Sequence, residues 1–469
     1  MTDHPLWTPE AVVAATGGAA TQTPASVVTG VSIDSRTLEP GDLFVAITGE
    51  NSDGHDYVEA AFGAGAAAAI VSRDTARLAR SGPLIVVDDA LTALEALGRA
   101  ARQRTAASIV AVTGSVGKTG TKEALKLALG ATGAVHASLY SYNNQWGVPL
   151  SLARMPENTE FGVFEIGMNH PGEIAPLSSM VRPNVAIITT VEPVHLGYFS
   201  STAEIAMAKA EVFTGLAAAG TAILNYDNEH FALLRDAAEK ARAGRMISFG
   251  SDDDADARLI DVHLGADFST VSADICGHKM TYRIASPGRH LAINSLAVLA
   301  AVDTLGADLA LGAMALGGWQ PAAGRGRREI LDTGAGGVTL IDESYNANPA
   351  SMAAALETLA QAEIGRGGRR IAVLGDMLEL GDRAPGLHRD VRDAVERAGC
   401  DLVFACGPLM QHLWQALPES RRGCYAPDAA LLADPLCAAL RAGDVVMIKG
   451  SLGSRLGPLV AAVRSHFMT

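Results

Sequence analysis

The sequence predicts an α/β protein of three domains. Three observations predict it. Short β-branched runs alternate with alanine- and leucine-rich helical stretches. A glycine turn joins a strand to a helix near residue 114, and 469 residues exceed what one ordinary core sustains.

Residues 1–104 read as a small α/β domain, with strands over Val27 to Ile33, Leu43 to Ile47, Ala69 to Val71 and Leu84 to Val87. Within it, Ser32 to Arg36 and Asp53 to Tyr57 set polar residues and glycine beside strands. That composition suits a binding edge and ordinary turn capping equally. Residues 105–320 contain apolar runs at Ile109 to Val112, Phe161 to Ile166, Val185 to Val191, Ala222 to Asn225 and Met246 to Phe249, with helices between them. This is the pattern of a doubly wound parallel sheet, whose ligands gather at the carboxyl ends of strands. Leu259 to Ile284 alternates and holds few helix formers, which adds antiparallel strands. Asp252 to Asp254, just before it, read as a solvated turn. His290 and Asn294 open a long helix, where they suit either a base edge or a cap. Glycine, proline and arginine from Gly317 to Arg328 suggest a hinge. In residues 321–469, strands at Val338 to Ile341, Ile371 to Leu374, Leu402 to Ala405 and Val445 to Ile448 predict a Rossmann-like α/β domain.

The chemistry concentrates after Val112. Gly114, Ser115, Val116, Gly117, Lys118, Thr119 and Gly120 form a turn that aims free backbone N–H groups and a helix dipole at one point, which suits polyphosphate. ATP is the leading ligand: Lys118 reaches its β and γ phosphates and the Thr119 hydroxyl holds Mg²⁺. A standard phosphate loop has glycine where this chain has Val112. Glu165 and His195 follow buried strands and complete a candidate Mg²⁺ cluster with Thr119, Glu165 being the better ligand because Mg²⁺ prefers oxygen. Lys209, on an apparent helix from Thr202 to Leu216, reads by itself as a surface lysine paired with a neighbouring acid. Arg325, Arg327 and Arg328 at the hinge offer guanidinium forks for phosphoryl charge. Two further turns, Asp342 to Pro349 and Lys449 to Arg455, also follow strands.

A net charge of -14 argues against a nucleic-acid partner. The five cysteines form no CxxC pair, which fits reduced thiols in the cytoplasm. Neither a signal peptide nor a membrane span is expected, and the chain is expected to be a monomer.

In order, the segments TGSVGKTGTKE, YNNQWGVPLSL, FEIGMNHPGEI, AKAEVF, GRHLAINSLA, DESYNANPASM, LGDMLELG and IKGS resemble the Mur ligase family over essentially the whole chain. The resemblance implies a UDP-sugar substrate domain, a central ATPase domain and a C-terminal ligase domain. It implies that the terminal carboxylate of UDP-MurNAc-tripeptide attacks the γ phosphate of ATP, and that the amine of D-Ala-D-Ala then displaces phosphate from the acyl phosphate. Lys118 and Thr119 resemble the phosphate and Mg²⁺ contacts, and Glu165 and His195 resemble metal ligands. Lys209 matches the family's carbamylated lysine. His290 and Asn294 resemble adenine-side contacts, Arg325 and Asp342 nucleotide contacts from the third domain, and Asn143 and Asn144 a pair near the activated carboxylate. Ser35, Arg36 and Asp56 fall in loops resembling the UDP-sugar grip, and Tyr345, Asn346 and Asn348 near the incoming dipeptide. Val116 departs from the family's common asparagine, and the choice between Arg325 and Arg327 stays open. DESYNANP, in place of a DNPR-type signature, favours a dipeptide-adding member over one adding a single amino acid; a folylpolyglutamate synthetase is the other competitor within the family. A nucleotide-driven transporter subunit or switch protein is the competitor from another class, without an ABC signature or membrane span to support it.

Overall fold

The computed structural model describes residues 5–22, 27–49, 52–73, 75–194, 197–334 and 336–467. Three sheets follow one another along the chain, each with apolar clusters on both faces.

The first sheet orders Ala19–Ala20, Leu84–Val86, Ala68–Val71, Asp42–Val45 and Gly30–Ser32, all parallel except the first pair. Ala19–Ala20 is too short to show a period of two, so sequence patterning passes it over. This sheet does not close its own core. Leu150 and Ala153, from helix Gly147–Ala153, pack with Trp7, Leu43, Ile70 and Leu94, and the Trp7 indole donates to the Ala153 carbonyl at 2.9 Å.

The central sheet has nine strands. Its parallel part runs Val135–Ala137, Phe161–Glu165, Ser108–Thr113, Val185–Ile188, Thr221–Asn225, Arg245–Gly250 and Ala257–Leu264; Ser269–Ile275 and His278–Ile284 continue it antiparallel. Alternate residues of Ser108–Thr113 feed opposite cores: Val110 and Val112 meet Leu125 and Leu296, whereas Ile109 and Ala111 meet Phe164 and Ile188. The chain extends the sheet from this strand in both directions, so its carboxyl end is the topological switch point.

The third sheet orders Arg327–Asp332, Gly337–Glu343, Val445–Lys449, Arg370–Gly375, Leu402–Cys406 and Arg422–Ala426, parallel but for the first pair. The expected hinge is therefore shorter than its composition suggested, since Arg327 and Arg328 begin an edge strand. Arg328 donates to the Ala266 carbonyl (2.6 Å) and the Thr358 carbonyl (3.4 Å), tying a loop of the central sheet to helix Pro349–Gln361. The helix expected from Thr202 to Leu216 also stops early, at Ala210, and tightens into the 3₁₀ turn Glu211–Gly215. Among the described residues no helix is long and apolar enough to cross a membrane.

Asp444, 0% exposed, anchors the start of the middle strand of the third sheet. Its carboxylate accepts from the Arg369 amide (2.9 Å), Arg369 Nη2 (2.6 Å) and the Arg441 amide (3.1 Å). Replacing it strands those donors. Asp444→Ala is expected to cost about 3 kcal/mol, read as a lower urea midpoint for the third domain.

Candidate functional site

A cleft of about 1070 Å³ separates the carboxyl edges of the central and third sheets. Its floor is the turn between Ser108–Thr113 and helix Lys118–Gly130. Gly114 (φ +147°) crosses Thr189 so closely that a Cβ would lie 1.9 Å from that hydroxyl. At Gly117 (φ +87°) a Cβ would lie 2.8 Å from Asn294 Nδ2. Only glycine fits either position. The Thr189 hydroxyl donates to the Val116 carbonyl (2.6 Å), and the Ser115 hydroxyl accepts from the Glu192 amide (2.9 Å), so the turn is fastened to the next strand's loop. Lys118 donates to the Gly114 carbonyl at 2.7 Å. Burial lowers its pKa, Glu165 opposes that shift, and Arg325 adds to it.

Glu165 ends strand Phe161–Glu165 and is 1% exposed. Oε2 accepts from the Thr119 hydroxyl at 2.9 Å and Oε1 from the Asn143 amide at 2.7 Å. Both hydrogen-bond partners are neutral, and Lys118 is near enough for its charge to interact with the carboxylate. Hydroxyl and carboxylate oxygens suit a hard divalent cation. Among the described residues no group of three His, Cys, Asp or Glu side chains forms a ready-made metal cage.

Arg325 brings the third sheet's side to this floor. Its Nη2 donates to the Ser141 hydroxyl at 2.9 Å, and Ser141 Oγ lies 3.4 Å from Thr119 Oγ1. The guanidinium also stacks over Tyr345, 4.1 Å from the ring centre.

Lys209 is 2% exposed. Burial pushes its pKa well below 10.5, and the charge of Lys118 pushes the same way. The expectation of a surface lysine paired with a neighbouring acid fails. Glu211 turns instead to the amides of Gly172 (2.7 Å), Ile174 (3.2 Å) and Ala175 (3.1 Å).

Residues 27–115 match the Mur ligase family catalytic domain, 112–302 the Mur ligase middle domain and 326–452 the Mur ligase glutamate ligase domain. The UDP-N-acetylmuramoyl-tripeptide--D-alanyl-D-alanine ligase of Rickettsia prowazekii is 34% identical over 92% of this chain and 94% of its own length. The enzyme of the same name from Escherichia coli is 34% identical over 93% and 94%. The chain belongs to the Mur ligase family. Among solved structures, MurF from Acinetobacter baumannii aligns with this Mur ligase at a TM-score of 0.84 and 28% identity, covering 98% of this chain and 99% of that one. MurF from Thermotoga maritima, in complex with ADP, aligns at 0.76 and 25%, covering 94% and 98%.

This Mur ligase brings most of the residues singled out in its sequence to one cleft. Residues 115–120, Glu165, Asn143 and Asn144 line it from the central sheet. His290 and Asn294 line it from helix Arg289–Thr304, and Arg325, Tyr345, Asn346 and Asn348 from the opposite wall. Of the hinge arginines, Arg325 enters, Arg327 is exposed on its strand, and Arg328 is tied elsewhere. Asn144 also holds the turn that leads into helix Gly147–Ala153, accepting from the Gly147 amide at 2.9 Å. Asp342 does not line the cleft: it accepts from the Ser344 hydroxyl (2.6 Å) and Arg464 Nη2 (3.2 Å). Ser35 and Arg36, on a loop of the first sheet, and Asp56, in the 3₁₀ turn Gly54–Tyr57, lie outside this cleft, with Arg36 paired to Asp34 at 2.6 Å. His195 lies outside the described residues.

Sequence reasoning passed over Ser141, and it noted Glu192 and Lys449 only as polar residues at strand ends, without a role. A lone serine in a loop carries no signal. Glu192 had one, as an acid just after a buried strand; burial raises its pKa, the Thr190 hydroxyl opposes this, and Glu229 adds to it. Lys449, a cation ending a buried strand before glycine, lines the cleft and donates to Glu343 Oε2 (3.1 Å) and the Asn346 carbonyl (3.0 Å).

The burial of Lys209 has a measurable cost. Its folded pKa is depressed, so the unfolded chain takes up a proton that the folded chain resists as pH falls below 10.5. In carbonate-free buffer, Lys209→Met is expected to be more stable than wild type by about 1 kcal/mol at neutral pH. The gap should shrink toward pH 11 in urea titrations, and a pH-independent gap would contradict the assignment.

Proposed function

We propose that this Mur ligase joins D-alanyl-D-alanine to UDP-N-acetylmuramoyl-tripeptide, consuming ATP and releasing ADP and phosphate, in peptidoglycan precursor synthesis. The observation that carries the reading is the contact of Arg325 with Ser141 beside Thr119, which brings groups from both sheets to one phosphate-binding turn. Full-length relatives that carry the corresponding name support it.

A carboxylate is a poor acyl donor, so the tripeptide's terminal carboxyl is first phosphorylated and the dipeptide amine then displaces phosphate. Backbone amides of residues 114–120 hold the triphosphate, and Lys118 exchanges the Gly114 carbonyl for β and γ oxygens. Thr119 and Glu165 would hold Mg²⁺, with His195 and a carbamate on Lys209 as further ligands. When bound, the ion neutralises charge that builds on the transferring phosphoryl group. Arg325 adds a guanidinium there, where stabilisation counts only if it strengthens toward the transition state. Asn143 and Asn144 orient the acyl donor. His290 and Asn294 flank the adenine, and Asp342 would have to leave Ser344 and Arg464 to reach the nucleotide when the third domain closes. Ser35, Arg36 and Asp56 grip the UDP-sugar, while Tyr345, Asn346 and Asn348 meet the dipeptide. The domain limits that accompany this reading are 1–104, 105–320 and 321–469. The enzyme acts as a cytoplasmic monomer, a setting compatible with its five free cysteines.

With ATP, Mg²⁺ and UDP-MurNAc-tripeptide, phosphate release should require D-Ala-D-Ala, and Lys118→Ala should cut kcat by about 100-fold or more. Release driven by a single amino acid, or by folate with glutamate, would move the assignment to another ligase of the family.

Lys209 is poised for the carbamate because a neutral amine is the form that attacks CO₂. Carbon-13 bicarbonate should give one slowly exchanging carbamate resonance in wild type and none in Lys209→Ala. Activity of that variant should return in part with short carboxylates.

A further inference from the structure

Lys122 lies on the helix leaving the phosphate-binding turn, one helical turn past Lys118, and is 0% exposed. A buried ammonium is costly unless each N–H finds an acceptor. Lys122 donates to the Ser138 carbonyl at 2.8 Å and the Tyr140 carbonyl at 2.7 Å, and its charge is paired with Glu123 Oε1 at 2.7 Å. A methionine would fill the same space without that cost, so packing alone does not account for the charge.

The two carbonyls belong to the segment between strand Val135–Ala137 and helix Gly147–Ala153. There the backbone enters the left-handed region at Tyr140 (φ 48°), a conformation that surrounding contacts must hold in place. The next residues deliver the site's connections. Ser141 takes the Arg325 guanidinium at 2.9 Å, and Asn143 donates to Glu165 Oε1 at 2.7 Å.

We infer that Lys122 is a positioning residue, whose ammonium sets the Tyr140 turn so that Ser141 meets Arg325 and Asn143 meets Glu165. It touches no substrate. It acts through the loop on the alignment of both sheets' groups, and its effect on turnover rests on the ligase reading above.

The test is a double-mutant cycle of Lys122→Met with Arg325→Ala, read by ligation kinetics and by hydrogen exchange. Lys122→Met should lose about 10- to 100-fold in kcat, since small misplacements weigh heavily on reacting geometry, while KM for ATP changes less than about threefold. The double variant should lose less than the product of the single losses, because Arg325 docks through the loop that Lys122 sets. Amides of residues 139–144 should exchange faster with residues 114–120 unchanged, a readout that needs no ligation. Lys122→Gln, which keeps two N–H donors, should fall between wild type and Lys122→Met and replaces the latter if it fails to fold. Unchanged kcat, losses that multiply, or exchange that rises equally across the central domain would overturn the inference. Wild-type protein that releases no phosphate with dipeptide would instead sink the ligase reading, and the exchange data would still decide the role of Lys122.

Discussion

A carboxylate withdrawn from water, with only neutral donors to hold it, sets the geometry of the whole cleft. Glu165 accepts one hydrogen bond from Thr119, on the helix after the glycine turn, and one from Asn143, on a separate loop. Because a buried carboxylate cannot forgo either donor cheaply, it locks helix, loop and strand end into one arrangement. Arg325 is then recruited at second hand, through the Ser141 hydroxyl that the same loop carries beside Thr119. The group is neutral in its hydrogen bonding and negative in its charge. That imbalance makes the position receptive to a cation without distorting it.

The two larger sheets explain why such a cluster can exist. Interior strands here are covered on both faces, so polar side chains have room only where a strand ends. In the central sheet that edge carries Glu165 and the loop from Thr189 to Glu192; in the third it carries Glu343 and Lys449. Turning these edges toward each other gives one cleft with groups from two frameworks. Arg328 and its two carbonyl partners join the frameworks at a different point from Arg325. A clamp and a docking contact are thus held by separate arginines of one short segment, which is how three similar side chains come to have three different surroundings.

Much of this was legible beforehand. Interior strands announced themselves by apolar runs, and the glycine turn by the residue types that a tight anion-binding bend demands. Three edge strands did not: Val135–Ala137, Arg327–Asp332 and Arg422–Ala426 are partly exposed, so their composition resembles that of loops. Lys209 was misread from local pattern because the reason for its burial, the fold of the central domain around it, is not encoded in its neighbours. Ser141 was invisible for a related reason, and Lys122, which the apolar spacing of its helix puts on the outer face, is instead fully buried; the importance of both lies in which carbonyl or guanidinium they meet across the chain. Asp342 shows the opposite case: its motif drew attention, yet its carboxylate is occupied by Ser344 and Arg464.

The pairing of Lys118 with Lys209 follows from the same electrostatics. Two amines in one desolvated region cannot both stay charged at low cost, and they are not equivalent. Lys118 has a carbonyl at 2.7 Å and the field of Glu165 to favour its proton, whereas burial and Lys118 together act to strip Lys209 of its own. A neutral amine of that kind is a nucleophile. Converting it to an anion would reverse the sign of its interaction with Lys118, from repulsion to attraction, and would supply the oxygen charge that Glu165 alone provides weakly for a divalent cation. The unfavourable burial of Lys209 near Lys118 is therefore a physical reason to look for its modified form.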